Sequence, residues 1–220
     1  MSIEQIKAGE AQTQPFASRG YIIGKLSNEQ LQPFIDEMHK IQSDFDSATP
    51  YNKGLAGNLQ HEYLLEDALN DYTFKLVLPY VQLLNNQYGY LDDINVLDKP
   101  CEEMLHSLWI NFQKKYEFNP LHNHSGIASF VIWLKVPFDM KDELNNPSTA
   151  NARMKCPAHF TFVHADSLGG LSQALIPVDR KYEGMICVFP SSLYHQVYPF
   201  YTSDDFRVSI SCLLYIKSGG

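Results

Sequence analysis

The chain has 220 residues, of which 45% are hydrophobic and only 19% are charged, and its formal net charge is −8. This composition suits one globular domain with a core of its own. The negative charge provides no basic field to hold a phosphate backbone, so nucleic acid is not an expected partner. No run approaches the roughly 18 apolar residues of a membrane span.

The N-terminal sequence and the cysteines indicate a cytoplasmic protein. The stretch MSIEQIKAGEAQ has neither the basic segment nor the apolar segment of a secretory signal. The four cysteines form no CxxC pair and are expected to be reduced thiols: Cys101, Cys156, Cys187 and Cys212.

Two amphipathic patterns make residues 1–103 a mostly helical segment, expected to support a sheet. Ser27 and Gln30 can form a capping box before the first helix, although Pro33 favours a later start. The apolar face of that helix comprises Leu31, Phe34, Ile35, Met38 and Ile41. A second helical pattern runs from Asp67 and ends at Gly89. Residues 51–65 between them, interrupted by Gly54 and Gly57, predict a strand or a loop.

From about Met104 the hydrophobic period changes to two, and short β-rich pieces alternate with turn residues. Seven strands are predicted, within residues 105–115, 127–137, 159–165, 171–178, 184–190, 194–200 and 206–216. So many strands in so short a segment favour a sandwich or jelly roll over residues 104–218, with the helices against one sheet. The expected fold is therefore mainly β with flanking helices, in one domain.

The polar residues 139–157 interrupt this strand pattern and show no periodicity of their own. A long irregular segment inside a compact β domain is more often a lid or a binding loop than a simple connection. We therefore expect this loop to shape access to a site.

Two histidines one residue apart are the first candidate site residues. Residues i and i+2 of a strand point to the same face, with Cα atoms about 6.5–7 Å apart, so His122 and His124 can grip one metal ion. Pro120 before them and Ser125-Gly126 after them place the pair at the end of a strand. Two structural imidazoles are the competing interpretation.

A second cluster lies about 70 residues further on. An apolar strand ends in Phe189-Pro190, His195 begins the next strand, and Arg207 follows twelve residues later. Alternation places Arg207, Ser209 and Ser211 on one face of the last strand. A guanidinium inside a β barrel needs an anion, and a carboxylate fits its planar fork, with Ser209 adding another hydrogen bond. A structural ion pair with an acidic residue is the alternative.

These elements together resemble the 2-oxoglutarate/Fe(II)-dependent oxygenases. The resemblance covers about residues 105–216 and is closest to small prolyl-hydroxylase-like members, in which FPS-x-x-x-H-x-V-x-P followed by R-x-S-x-S recurs. It implies a double-stranded β-helix (jelly roll, cupin-like) with N-terminal helices. It also implies that His122 and His195 bind Fe(II), and that Arg207 and Ser209 bind the distal carboxylate of the co-substrate 2-oxoglutarate.

The same resemblance implies an enzyme that oxidises a substrate C–H bond, usually by hydroxylation, and releases succinate and CO₂. The substrate would be an amino-acid or peptidyl side chain, or another small molecule; the sequence does not identify it. Asn111 and Gln113 share a strand face with Trp109, and Ser129, Val131 and Trp133 share the next, so either face could line the co-substrate pocket.

The sequence departs from the family pattern at His124, which occupies the carboxylate position of the usual H-x-D/E motif. Three arrangements are open. His124 itself coordinates in a three-histidine site, which we favour; or Asp166 supplies a carboxylate; or two histidines and water suffice. Asp166 precedes Leu168-Gly169-Gly170, where it can equally cap a turn. His39, His61, His106, His159 and His164 are weaker candidates, His164 being the one that could reach the pocket.

Two other functions are compatible with the residues. The first is a three-histidine cupin-type metalloenzyme that does not use 2-oxoglutarate, although such a site would not require Arg207 and Ser209. The second is a non-catalytic jelly-roll binding module with incidental histidines. Oligomeric state has no signature in the sequence.

Overall fold

The protein is described by a computed structural model covering residues 19–65, 68–92 and 103–216. The N-terminal stretch, Asp67 and Cys101 lie outside the described residues. In chain order the elements are β1 Ile22–Lys25, α1 Asn28–Ser43, β2 His61–Leu64, α2 Ala68–Tyr88, β3 Glu103–Gln113, β4 Asn119–His122, β5 Ala128–Lys135, α3 Met140–Asn145, β6 Phe160–Ala165, β7 Leu171–Ile176, β8 Met185–Pro190, β9 Tyr194–Val197 and β10 Arg207–Ile216.

The strands form two antiparallel sheets. The large sheet has the order β1-β8-β5-β10-β3-β2, and the small sheet has the order β4-β9-β6-β7. All seven strands predicted after residue 104 are present, and β4 is an additional one. The prediction of a mainly β fold is therefore confirmed.

The inner face of the large sheet turns toward the small sheet, and its outer face packs against α1 and α2. Alternation along β10 explains this division, because Val208, Ile210 and Cys212 are buried in the helix-side core while Arg207 and Ser209 line a cavity between the sheets. A second apolar cluster, which includes Trp133 and Phe160, fills the space between the sheets.

Both predicted helices form. Ser27 and Gln30 make the capping box reciprocally, with N–H to oxygen distances of 2.9 and 3.2 Å. The expected late start at Pro33 is wrong, because α1 begins at Asn28 and contains the proline. The second helix ends at Tyr88, and Gly89 follows it with a φ of +66°, the left-handed conformation that glycine adopts without strain.

The segment before residue 104 contributes more than helices. Strand β1 pairs with β8, with Ile22 opposite Val188, and β2 pairs with β3, with Glu62 opposite Asn111. The expected strand or loop at residues 51–65 is therefore partly β2. The division into a helical part (1–103) and a jelly-roll part (104–218) of one domain stays a prediction.

The segment 139–157 is not the structureless loop that its sequence suggests. It contains α3, whose Glu143 is fully buried and accepts hydrogen bonds from the backbone N–H groups of Tyr201 and Thr202, each 2.9 Å long, and from the Thr202 hydroxyl. The segment is thereby anchored to the connection between β9 and β10.

None of the helices in the described ranges combines the length and the apolar character needed to cross a bilayer.

Candidate metal centre and co-substrate cavity

Three imidazoles converge at the mouth of the cavity between the two sheets. His122 ends β4, His195 lies on β9 directly opposite it in the register, and His124 follows β4 with its backbone N–H bonded to the Ser191 carbonyl at 2.9 Å. One potential ligand atom from each of the three rings lies within 4.8 Å of the others. Ring centroids are 4.3 Å apart for His122 and His195, and 4.9 Å apart for each pair that includes His124.

Backbone carbonyls set the orientation of two of these rings. Nδ1 of His122 lies 2.7 Å from the Pro120 carbonyl oxygen, and Nδ1 of His195 lies 2.9 Å from that of Leu193. A carbonyl can only accept, so Nδ1 carries the proton in both rings and Nε2 presents its lone pair. This backbone arrangement is typical of metal-binding histidines.

The electrostatic environment keeps the three imidazoles neutral. Burial lowers the pKa of His122, with a smaller opposing effect of the hydrogen bond to Pro120. Burial and the neighbouring His122 lower the pKa of His124 to about 4. Burial, His122 and His124 lower the pKa of His195 to about 3, against an opposing effect of the hydrogen bond to Leu193. Neutral nitrogen donors at this spacing suit a divalent transition metal such as Fe(II), so the residues present fit the ion.

Asp166, the alternative carboxylate, is not brought to this cluster. Its carboxylate accepts the backbone N–H groups of Leu168 and Gly170, both at 2.9 Å, and these bonds lower its pKa. Among residues 19–65, 68–92 and 103–216, the histidine trio is the one group with metal-ligand spacing. The alternative turn-capping interpretation of Asp166 matches this geometry.

Arg207 lies deeper in the same cavity and is 3% exposed. Its Nε donates to Gln113 Oε1 at 3.0 Å, Nη1 to the Ala158 carbonyl at 2.9 Å, and Nη2 to both Gln113 Oε1 and the Tyr198 carbonyl. One Nη1 proton is left over. Burial lowers the pKa of Arg207 to about 9, partly offset by Glu143, so the guanidinium remains charged at neutral pH.

No carboxylate of the described chain lies within ion-pair distance of this guanidinium. The structural ion pair considered as an alternative is therefore absent there. A buried cation held by neutral acceptors alone is costly, and an incoming anion would stabilise it.

The other candidate residues line the cavity beside Arg207. Asn111 Nδ2 lies 3.4 Å from Ser209 Oγ, and Gln113 contacts Arg207 as described. Ser129 donates to or accepts from Ser191 at 2.8 Å, while Val131 and both tryptophans complete the apolar wall. The two strand faces expected to line the pocket do so.

The remaining histidines lie elsewhere. His61 stacks on Phe45 with a centroid distance of 4.5 Å, and His159 is buried with Nδ1 at 2.8 Å from the Pro157 carbonyl. His164 is exposed and faces a different surface depression.

The sequence did not single out Glu62 or Glu143, which are both fully buried. Glu62 lines the cavity and Glu143 anchors α3. Their type and position carry no local signal, because each becomes buried through contacts with residues distant in sequence.

Comparison with known proteins finds a family match for the second half of the chain. A family model described as 2OG-Fe(II) oxygenase matches residues 107–212. No curated protein matches the chain.

Two solved structures illustrate the likeness in fold. A prolyl-4-hydroxylase from Pseudomonas putida is 14% identical, with a TM-score of 0.54 over 92% of this chain and 95% of that one. The non-heme alpha ketoglutarate dependent epimerase SnoN from nogalamycin biosynthesis is 14% identical, with a TM-score of 0.53 over 89% of this chain and 77% of that one. At such identities the likeness shows the jelly-roll fold, as predicted. Over residues 107–212, just under half of its length, the chain matches the 2-oxoglutarate/Fe(II)-dependent oxygenase family, whose members are enzymes with the cofactors Fe(II) and 2-oxoglutarate.

Proposed function

We propose that the protein is a 2-oxoglutarate-dependent hydroxylase that acts on a C–H bond of an amino-acid or peptidyl side chain and releases succinate and CO₂. The observation that carries this proposal is the juxtaposition of three neutral imidazoles and a buried guanidinium without a carboxylate partner in one cavity. The substrate class rests on the likeness to a prolyl-4-hydroxylase, which is a likeness of fold.

Within this proposal, His122, His124 and His195 would hold Fe(II). When bound, Fe(II) supplies the redox chemistry that couples O₂ and 2-oxoglutarate to oxidation of the substrate. The hydrogen bonds from His122 and His195 to backbone carbonyls fix their tautomers before the metal arrives. A histidine in place of the usual carboxylate leaves the site one unit more positive.

Arg207 and Ser209 bind the distal carboxylate of 2-oxoglutarate. The free Nη1 proton of Arg207 and the Ser209 hydroxyl are the donors, while Gln113 holds the guanidinium in place through Nε and Nη2. Asn111 supports Ser209 from the neighbouring strand. The aromatic walls, including Trp133 and Phe160, exclude water around the reacting groups.

Calorimetric titration tests the proposal directly. Purified protein without a chelating tag is titrated with Mn(II) and then with 2-oxoglutarate in the absence of oxygen. We expect 2-oxoglutarate to bind only after the metal, and both to be lost in His195→Ala. Saturable metal binding without any 2-oxoglutarate binding would contradict the proposal and favour a three-histidine metalloenzyme of another kind. In a separate assay, oxygen uptake that is equal with and without 2-oxoglutarate would have the same meaning.

A further inference from the structure

Glu62 is a buried acid in the wall of the co-substrate cavity. It lies on β2, is 0% exposed, and stands directly opposite Asn111 of β3 in the antiparallel register. Directly opposed residues place their Cβ atoms about 4.5–5.5 Å apart on the same face of a sheet, so the two side chains are neighbours. Asn111 in turn pairs with Ser209 of β10.

Both side chains present an acceptor that lacks a donor. Within the described part of the chain, Glu62 Oε1 and Asn111 Oδ1 are buried oxygens without a hydrogen-bond partner. The second Glu62 oxygen receives one long contact, from Asn52 Nδ2 at 3.4 Å. Two buried acceptors on neighbouring side chains are unfavourable while neither has a donor, since an unmet buried acceptor costs about 1–3 kcal/mol.

The surroundings favour the neutral form of Glu62. Burial, with a further contribution from Glu117, raises its pKa to about 7. The titratable and charged groups around Glu62 and in the same cavity wall include Tyr51, Lys53, His61, Lys114, Glu117, Arg207 and the three histidines of the candidate metal centre. Of these, Glu117 is the one whose charge contributes to the raised pKa of Glu62. Space for the side chain comes from Gly57, where a Cβ would lie 2.6 Å from Glu62 Oε1.

The orientation of the Asn111 amide connects Glu62 to the co-substrate residues. Its Nδ2 points to Ser209 Oγ at 3.4 Å, which leaves its Oδ1 directed away from Ser209. An Nδ2 that donates to Ser209 Oγ occupies a lone pair of the hydroxyl and leaves the hydroxyl proton available to another acceptor. This orientation requires a donor at Oδ1, which a protonated Glu62 provides.

We propose that Glu62 is a positioning residue that acts as a neutral acid: it donates its proton to Asn111 Oδ1, and Asn111 thereby keeps the Ser209 hydroxyl free to donate to the 2-oxoglutarate carboxylate. This inference rests on the proposed function. It makes co-substrate affinity depend on one protonation event that does not involve a metal ligand.

Ionisation of Glu62 releases that proton to solvent and reverses the chain of hydrogen bonds. The Asn111 amide then turns over, donates Nδ2 to the Glu62 carboxylate and accepts the Ser209 hydroxyl proton at Oδ1. Ser209 can no longer donate to the co-substrate. Loss of one hydrogen bond to a charged group weakens binding about tenfold, and a second carboxylate beside the ligand adds repulsion.

The test compares wild-type protein with Glu62→Gln, whose amide N–H reproduces the donor of the neutral acid at every pH. The dissociation constant of 2-oxoglutarate is measured calorimetrically on the Mn(II)-loaded full chain at about pH 6 and about pH 8, on either side of the Glu62 pKa. Near pH 6 the two proteins should bind alike. Near pH 8, where about nine-tenths of Glu62 is ionised, a roughly tenfold weaker ionised form makes the wild type bind about fivefold more weakly than Glu62→Gln. Taking the ratio of the two proteins removes the pH dependence of metal binding itself.

The exposed Glu29→Gln on α1 is the matched control and should follow the wild type at both pH values. A wild-type to variant ratio that does not change with pH overturns the inference but not the proposed function. Absence of 2-oxoglutarate binding by the wild type at both pH values overturns both. If Glu62→Gln does not fold, carbon NMR of the wild type with labelled glutamate decides: the Glu62 carboxyl must titrate near pH 7, and titration below about pH 5 refutes the inference.

Discussion

Replacing Arg207 with alanine isolates the contribution of the buried guanidinium to co-substrate binding. In the protein as it stands, Gln113 and the Ala158 and Tyr198 carbonyls engage four of its five N–H groups, and one Nη1 proton remains for a ligand. The loss therefore corresponds to one charge-assisted hydrogen bond and not to a two-bond fork.

The size of the effect follows from that count. One hydrogen bond to a charged group contributes about 1.5–3 kcal/mol, which corresponds to a loss of affinity for 2-oxoglutarate of about 10- to 150-fold. A fully available fork would double the free energy and give losses of about 150-fold and more. Arg207→Lys keeps the charge but not the planar geometry, so its loss should lie below that of alanine.

The assay is calorimetric titration of the Mn(II)-loaded protein with 2-oxoglutarate. Arg153→Ala removes an exposed guanidinium outside the cavity and serves as the control, expected to bind like the wild type. Thermal unfolding of each variant verifies the fold, because Arg207→Ala leaves the oxygens of Gln113, Ala158 and Tyr198 without their donor. A change of less than about threefold in a folded, metal-binding Arg207→Ala protein would refute the assignment of the anion to this residue.

Three further predictions concern the metal, the α3 anchor and the thiols. His124→Ala should weaken Mn(II) binding at least about tenfold, whereas His124→Asp should retain binding because aspartate restores a carboxylate ligand. Calorimetry measures both affinities, and unchanged binding in His124→Ala would favour a two-histidine site. Glu143→Ala should destabilise the protein by about 1–3 kcal/mol, because the backbone N–H groups of Tyr201 and Thr202 lose their buried acceptor. Denaturant unfolding measures the free energy of unfolding. As a control, Asp142→Ala at an exposed position of the same helix should leave the stability unchanged. Burial raises the pKa of the Cys187 and Cys212 thiols, so both should resist alkylation near pH 8 in the native protein and react in the unfolded protein. Peptide mapping by mass spectrometry measures the extent of alkylation at each position.

The strands after residue 104 could be predicted because their signal is local. Alternation of apolar and polar residues between turn residues defines each strand, and in β10 the same alternation correctly places Arg207 on the inner face. Strand β1 gave no comparable signal. Its four residues form a strand because Ile22 and Val188 are brought together by the rest of the fold.

Long-range contacts also explain why the buried anchor of the segment 139–157 could not be predicted from its sequence. Its polar composition is typical of an exposed loop, yet Glu143 is buried because its carboxylate satisfies backbone groups nearly 60 residues away. Composition cannot reveal a partner at that distance. The same holds for Glu62, whose position beside Asn111 depends on the pairing of β2 with β3.

The residues of the candidate metal site were partly predictable for a similar reason. The spacing of His122 and His124 indicates a shared face without further information, whereas His195 joins them only through the register of β4 and β9. The sequence could not decide between His124 and Asp166. In the fold, Asp166 lies in a turn with its own backbone donors, and His124 lies beside the other two histidines.

The position of the two tryptophans has a practical consequence for spectroscopy. The chain contains only Trp109 and Trp133, and both line the cavity, Trp109 with its ring centroid 6.0 Å from that of His124. Indole emission from the whole molecule therefore originates at the site. Occupancy by ion or co-substrate can be followed through quenching of native fluorescence, with no dye or tag attached to the protein.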